Sequence, residues 1–159
     1  MHFNLLKLSL LSLLAPFAAA YYPQGTITVP ANGTHIAPGE TFNFTYNGRG
    51  DYCLSSFAYS VVLLTSPPES LLTLTTTGHY FGRFNSATVG VTPTGAPPAP
   101  PNFTMPDFSL SPGGFGSGKS VSNATFYLAV IEEYNECDPT VGNTLTLTAN
   151  TIIYNATTA

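Results

Sequence analysis

Residues 40–46, ETFNFTY, alternate large apolar and polar side chains without a break. A period of two puts Phe42, Phe44 and Tyr46 on one face and Thr41, Asn43 and Thr45 on the other. An extended strand with one wet face satisfies that pattern; a helix would scatter the rings around its circumference. Similar short runs recur, set off by Gly, Pro and Asn. GTITV (25–29) puts Ile27 and Val29 on one face, and FAYSVVLL (57–64) is apolar on both parities, as a central strand is. LLTLTTT (71–77) and SATVGV (86–91) are weaker signals. NATFYLAVI (123–131) turns Ala124, Phe126, Leu128 and Val130 inward, and TLTLTANTIIY (144–154) turns Leu145, Leu147 and Ala149 to one side. Turns such as ANG (31–33) and APGE (37–40) separate them, and almost nothing has helical periodicity. About seven strands at this spacing specify an all-β chain, an antiparallel sandwich of the Ig or fibronectin-III kind.

Residues 93–120 break the rhythm with seven prolines and five glycines in 28 residues. Phe103, Met105, Phe108, Leu110 and Phe115 make the stretch too apolar for a plain linker. It is expected to be one long Pro/Gly-rich crossover loop, irregular and pinned to the sandwich by those side chains.

The first 20 residues stand apart from the domain. Lys7 precedes an apolar run, LSLLSLLAPF, which closes on Ala18, Ala19 and Ala20. This is the pattern of a secretory signal peptide cleaved after Ala20, leaving a single domain over 21–159. The run is too short to cross a bilayer. Beyond it, Arg49, Arg83 and Lys119 face eight carboxylates, a net charge of −5. So acidic a chain lacks the basic footprint that nucleic acid or an anionic membrane surface requires. The C-terminus, TIIYNATTA, is not the hydrophobic tail of a GPI signal, so a secreted chain with no membrane anchor is expected. Five sequons, at Asn32, Asn43, Asn102, Asn123 and Asn155, fit the secretory route and mark N-glycosylation sites on wet faces. Cys53 and Cys137 are the only cysteines, and in an oxidising compartment they are expected to pair as a disulfide.

Several motifs invite a chemical reading. GGFGSGKS (113–120) has the spacing of a P-loop, but a proline precedes it and a strand pattern follows, whereas phosphate cradling needs a strand before and a helix after. Arg49-Gly50-Asp51 is the adhesion tripeptide, read here as an ordinary glycine turn. Glu132, Glu133, Glu136 and Asp138 crowd beside Cys137, and the disulfide would bring Asp51 near. Such carboxylates suit Ca²⁺ or a glycosidase pair, yet neither an EF-hand pattern nor a sugar cleft is legible, so a solvated acidic loop is expected. No nucleophile motif, metal-ligand set or cofactor fingerprint is present, which makes the chain non-enzymatic, with no metal and no cofactor expected. GHYFGRF (78–84) gathers His79, Tyr80, Phe81, Arg83 and Phe84. Aromatic faces beside a few hydrogen-bonding groups suit sugar or peptide recognition, although a strand end supplying core aromatics has the same composition.

The run ITVPANGTHIAPGETFNFTYN (27–47) resembles the opening of small fungal secreted Ig-like domains: a strand, a proline, a turn, then P-G before a β-rich second strand. It is similar to the N-terminal Ig-like domain of GPI-anchored Ser/Thr-rich cell-wall proteins linked to wall-glucan assembly. It is also similar to the necrosis-inducing secreted effector family of fungi, implicated in suppressing plant immune receptor kinases. GHYFGRF, TMPDFSLSPGGFG (104–116) and YLAVIEEY (127–134) resemble secreted proteins of mushroom-forming fungi. The resemblance implies an effector-like interaction protein that binds an extracellular host or microbial protein. The alternative is a carbohydrate-binding module associated with the cell wall and its β-glucan.

Overall fold

A computed structural model describes residues 24–51, 54–69, 78–86, 95–108, 123–135 and 142–154. The signal segment, Cys53, Cys137, Glu136, Asp138, Asn155, Leu110, Phe115, the runs 71–77 and 87–91, and the glycine-rich 113–120 all lie outside them.

The described residues contain no helix and ten strands: β1 (Thr26–Val29), β2 (Thr34–Ile36), β3 (Thr41–Asn43), β4 (Thr45–Asn47), β5 (Gly50–Asp51), β6 (Leu54–Leu64), β7 (Gly78–Asn85), β8 (Asn102–Thr104), β9 (Ala124–Asn135) and β10 (Asn143–Tyr154). Six form one sheet in the order β2-β10-β9-β6-β5, with β7 also paired to β6. Every pairing in it is antiparallel except β2 with β10. Two further ribbons, β1–β4 and β3–β8, are antiparallel pairs. Ile27, Phe42, Phe44 and Phe103 from the ribbons share one apolar core with Tyr59, Val61, Leu63, Phe84, Phe126, Leu128, Val130, Ile152 and Tyr154 from the large sheet. Two layers closing on one core is the arrangement of a β-sandwich.

The alternation of 40–46 survives in full. Phe42 and Phe44 are buried, Tyr46 packs against the core, and Thr41, Asn43 and Thr45 face water. The run is nevertheless two strands. Its first half pairs with β8 and its second with β1, and the Phe44 N–H between them donates to the Pro101 carbonyl at 2.9 Å. FAYSVVLL lies within β6, which has β9 on one side and β5 and β7 on the other, the central place its two-faced apolarity requires.

Three expectations need correction. Ile27 and Val29 do not share a face: the register shifts between them, so Ile27 enters the core and Val29 is left exposed. On β10 Leu145, Leu147 and Ala149 do share a side, but it is not the core side: the inward face belongs to the other parity, ending in buried Ile152 and Tyr154, and Leu145 is 52% exposed. The inward Thr148 and Asn150 instead bind the β1 segment: Thr148 Oγ1 donates to the Gly25 carbonyl, and Asn150 Nδ2 to the carbonyls of Ile27 and Pro30. Polar side chains take the core-facing positions because they satisfy backbone groups that no strand pairs. Finally, the long Pro/Gly-rich stretch is not wholly irregular. It contributes β8, and Phe103, Met105 and Phe108 are buried as anchors. Met105 exchanges backbone hydrogen bonds with Glu40 and Gly39 at 2.8 and 2.9 Å.

Asn32, Asn43, Asn102 and Asn123 are all exposed, as glycosylation requires. In the β3–β8 register Asn43 stands directly opposite Asn102.

Candidate functional site

The segment 78–84 becomes β7, and its residues divide between two faces. Phe84 is 7% exposed and packs on Tyr59 and Phe103; Phe81 packs on Phe42, Phe103 and His79. Two residues an odd number apart face the same way because the register slips here: Val61 pairs with Gly82 and Val62 with Tyr80, which leaves Phe81 as an extra residue. Gly82 has φ +148°, and a Cβ there would press on the Phe84 ring at 2.8 Å. Glycine is what lets the strand slip. On the opposite face Tyr80 is 59% exposed, and Arg83 reaches across β6 to form a bidentate pair with Glu133 at 2.6 and 2.8 Å. That carboxylate raises the Arg83 pKa further. The five residues therefore form no single surface. Phe81 and Phe84 serve the core, Arg83 is tied to Glu133, and His79 stands edge-on to Phe81.

Burial lowers the His79 pKa below its ordinary 6.5. As pH falls through 6.5 the unfolded chain takes up the proton first. The stabilisation is thus complete above 6.5 and is lost as pH falls through the lower folded value. Thermal unfolding between neutral and mildly acidic pH is expected to show this decline, and His79→Gln should flatten it. An identical acid limb in both proteins would show that the imidazole contributes nothing.

The acidic cluster is also rearranged. Glu132 and Glu133 lie in β9 rather than in a solvated loop. Successive residues of a strand face opposite ways, so Glu133 meets Arg83 outside while Glu132, at 0% exposure, points into the sandwich. Its carboxylate is held by three donors: the Arg49 N–H to Oε1 at 2.6 Å, the Gly25 N–H to Oε2 at 3.2 Å, and the Thr146 hydroxyl to Oε2 at 3.4 Å. The Tyr46 hydroxyl lies against it in a looser contact, short of good hydrogen-bond geometry. Burial, then the neighbouring charge, pushes the Tyr46 phenol far above its ordinary 10.0, so it stays protonated and remains a donor. Arg49, expected in an ordinary glycine turn, is 6% exposed, with its guanidinium 5.2 Å from the Tyr134 ring centre. Gly50 and Asp51 continue as β5. Among the described residues no three His, Cys, Asp or Glu side chains gather as metal ligands.

Beside this node lies a cleft of about 450 Å³, lined by Tyr46, Asn47, Gly48, Tyr59, Asn85, Ser86, Pro98 and Ala99. Tyr46 and Tyr59 come from opposite layers, with ring centres 5.0 Å apart. Glu132 pairs with Tyr59 in the β6–β9 register and so sits beneath that wall. Gly48 leaves the cleft its depth: a Cβ there would stand 3.0 Å from Glu132 Oε1 and 3.1 Å from Ser86 Oγ. The Pro98 wall is clamped by the Asn85 N–H, which donates to the Pro97 carbonyl at 2.8 Å. Asn85 Oδ1 is buried with no hydrogen-bond partner. None of the eight lining residues is charged. The cleft is therefore suited to holding a neutral group by hydrogen bonds and ring contacts. The sequence reading missed it because its residues come from four separate segments, and only the pairing of layers joins them.

No family model, no curated protein and no solved structure matches the chain.

Proposed function

We propose that the protein is a secreted, non-enzymatic recognition domain, effector-like, that binds an extracellular host or microbial protein. The observation that carries this reading is the cleft: an open site of ligand size lined by uncharged hydrogen-bonding and aromatic groups. The leader pattern and five sequons in the sequence support the secretory route. An Ig-like sandwich is supported by the pairing order. The ribbons β1–β4 and β3–β8 correspond to A–B and B–E pairs, and β6, β9 and β10 follow one another as C, F and G do.

A second reading, a module associated with cell-wall β-glucan, is favoured by the two tyrosines and two asparagines of the same cleft, groups that suit sugar rings and hydroxyls. Expression in a fungal host tests both. The released chain is expected to begin at Tyr21 and to lose mass on enzymatic deglycosylation. Saturable retention by immobilised extracellular proteins would support the first reading, and co-sedimentation with insoluble β-glucan, chitin or cellulose the second. A chain kept inside the cell with its leader attached, or one retained by none of these materials, overturns the proposal.

A further inference from the structure

We infer that the cleft between Tyr46 and Pro98 takes a neutral sugar unit. This rests on the recognition reading and gives it a ligand class.

The chemistry of the walls narrows the occupant. No lining residue carries a charge, so nothing there balances a phosphate, sulfate or uronic acid. The Glu132 carboxylate behind Tyr46 repels such anions, and a buried charge is screened little. A cation is also unsuited, because the Glu132 oxygens already accept from Arg49, Gly25 and Thr146. A purely apolar ligand would cover the amide and hydroxyl groups of the walls without meeting them, which is unfavourable for desolvated polar groups. What remains is a neutral molecule rich in groups that both donate and accept.

Sugar hydroxyls have that character, and so do the cleft's own groups: the Tyr59 phenol, two side-chain amides and a serine hydroxyl. The tyrosine rings supply carbon surface for the C–H faces of a pyranose. A peptide strand fits less well. Strand addition needs a free run of backbone donors and acceptors. Here Pro98 has no N–H, and the Asn85 N–H is already given to Pro97. The volume, about 450 Å³, is that of a small-ligand site rather than of a long groove. The sugar has two possible sources, a wall polysaccharide or a glycan carried by an extracellular glycoprotein.

Calorimetric titration of the purified glycoprotein separates these outcomes. The probes are the tetraoses of β-1,3-glucan, cellulose and chitin, a mannose-rich glycopeptide, and the same peptide without its glycan. Asn85→Leu keeps the shape and removes the wall's amide, its buried oxygen included; Asn47→Ala trims an exposed cleft residue. Saturable binding of at least one sugar probe is expected, weakened about ten-fold or more by each variant. Melting temperature should stay within about 3 °C of the parent, or rise for Asn85→Leu, because that oxygen has no partner to lose. Binding confined to the tetraoses assigns a wall polysaccharide, and binding confined to the glycopeptide assigns a protein-borne glycan. Absence of saturable sugar binding, or sugar binding unchanged in both variants, overturns the inference. If the bare peptide or an enzymatically deglycosylated protein is bound instead, the sugar assignment falls while the recognition reading stands.

Discussion

Glu132→Ala is expected to lower the unfolding free energy by about 4 kcal/mol, with the urea m-value unchanged. The side chain is fully buried, and three donors converge on it from separate parts of the chain: Gly25 ahead of β1, Arg49 ahead of β5, and Thr146 on β10. Truncation would orphan all three and leave a void. Each unmet buried N–H or hydroxyl costs about 1–3 kcal/mol on its own. Glu132→Gln keeps the shape and one acceptor but turns an amide N–H toward a backbone N–H, so a smaller loss of about 2 kcal/mol is expected. The ranking parent, Gln, Ala is the signature of a carboxylate that ties elements together. An alanine variant within about 1 kcal/mol of the parent would show that the three donors find water instead.

Reduction is expected to remove a comparable amount. The β6–β9 pairing ends, among the described residues, with Ser55 opposite Asn135. In the sequence Cys53 and Cys137 each stand two residues further along, one before Ser55 and the other after Asn135. We propose that they are bridged. A loop of about 85 residues closed in this way restricts the unfolded chain by about 4.5 kcal/mol in the chain-entropy treatment. Non-reducing peptide mapping should recover the two cysteines in one cross-linked fragment. Urea unfolding with and without reductant should then differ by roughly that amount. Two alkylatable thiols in the secreted protein would refute the bridge.

Much of the fold was legible because period two is a local signal. In ETFNFTY and NATFYLAVI each residue's face follows from its neighbours, and Phe42, Phe44, Phe126, Leu128 and Val130 are buried as the alternation requires. The same rule, carried two residues past Val130, would have placed Glu132 inside. The charge of that side chain argued for solvent, and only donors distant in sequence overrule it. The faces of Val29, Phe81 and Phe84 were not legible, because each depends on a register slip that is set by the partner strand. On β10 the apolar parity of Leu145 and Leu147 pointed one way, and the unmet backbone carbonyls of the β1 segment drew Thr148 and Asn150 the other. Proline and glycine counts around β8 hid a strand of three residues, whose pairing depends on β3, some 60 positions earlier. The cleft was illegible for the same reason, since nothing local links Tyr46, Tyr59, Asn85 and Pro98.

Asn43 and Asn102 face each other across a two-stranded ribbon, both on its wet side. Glycans on the pair would stand shoulder to shoulder, a bulky hydrated brush over one outer surface of the molecule. A chain with only 8% charged residues has little ionic repulsion to keep copies apart. The brush would supply that separation by excluded volume, which neither salt nor acid screens.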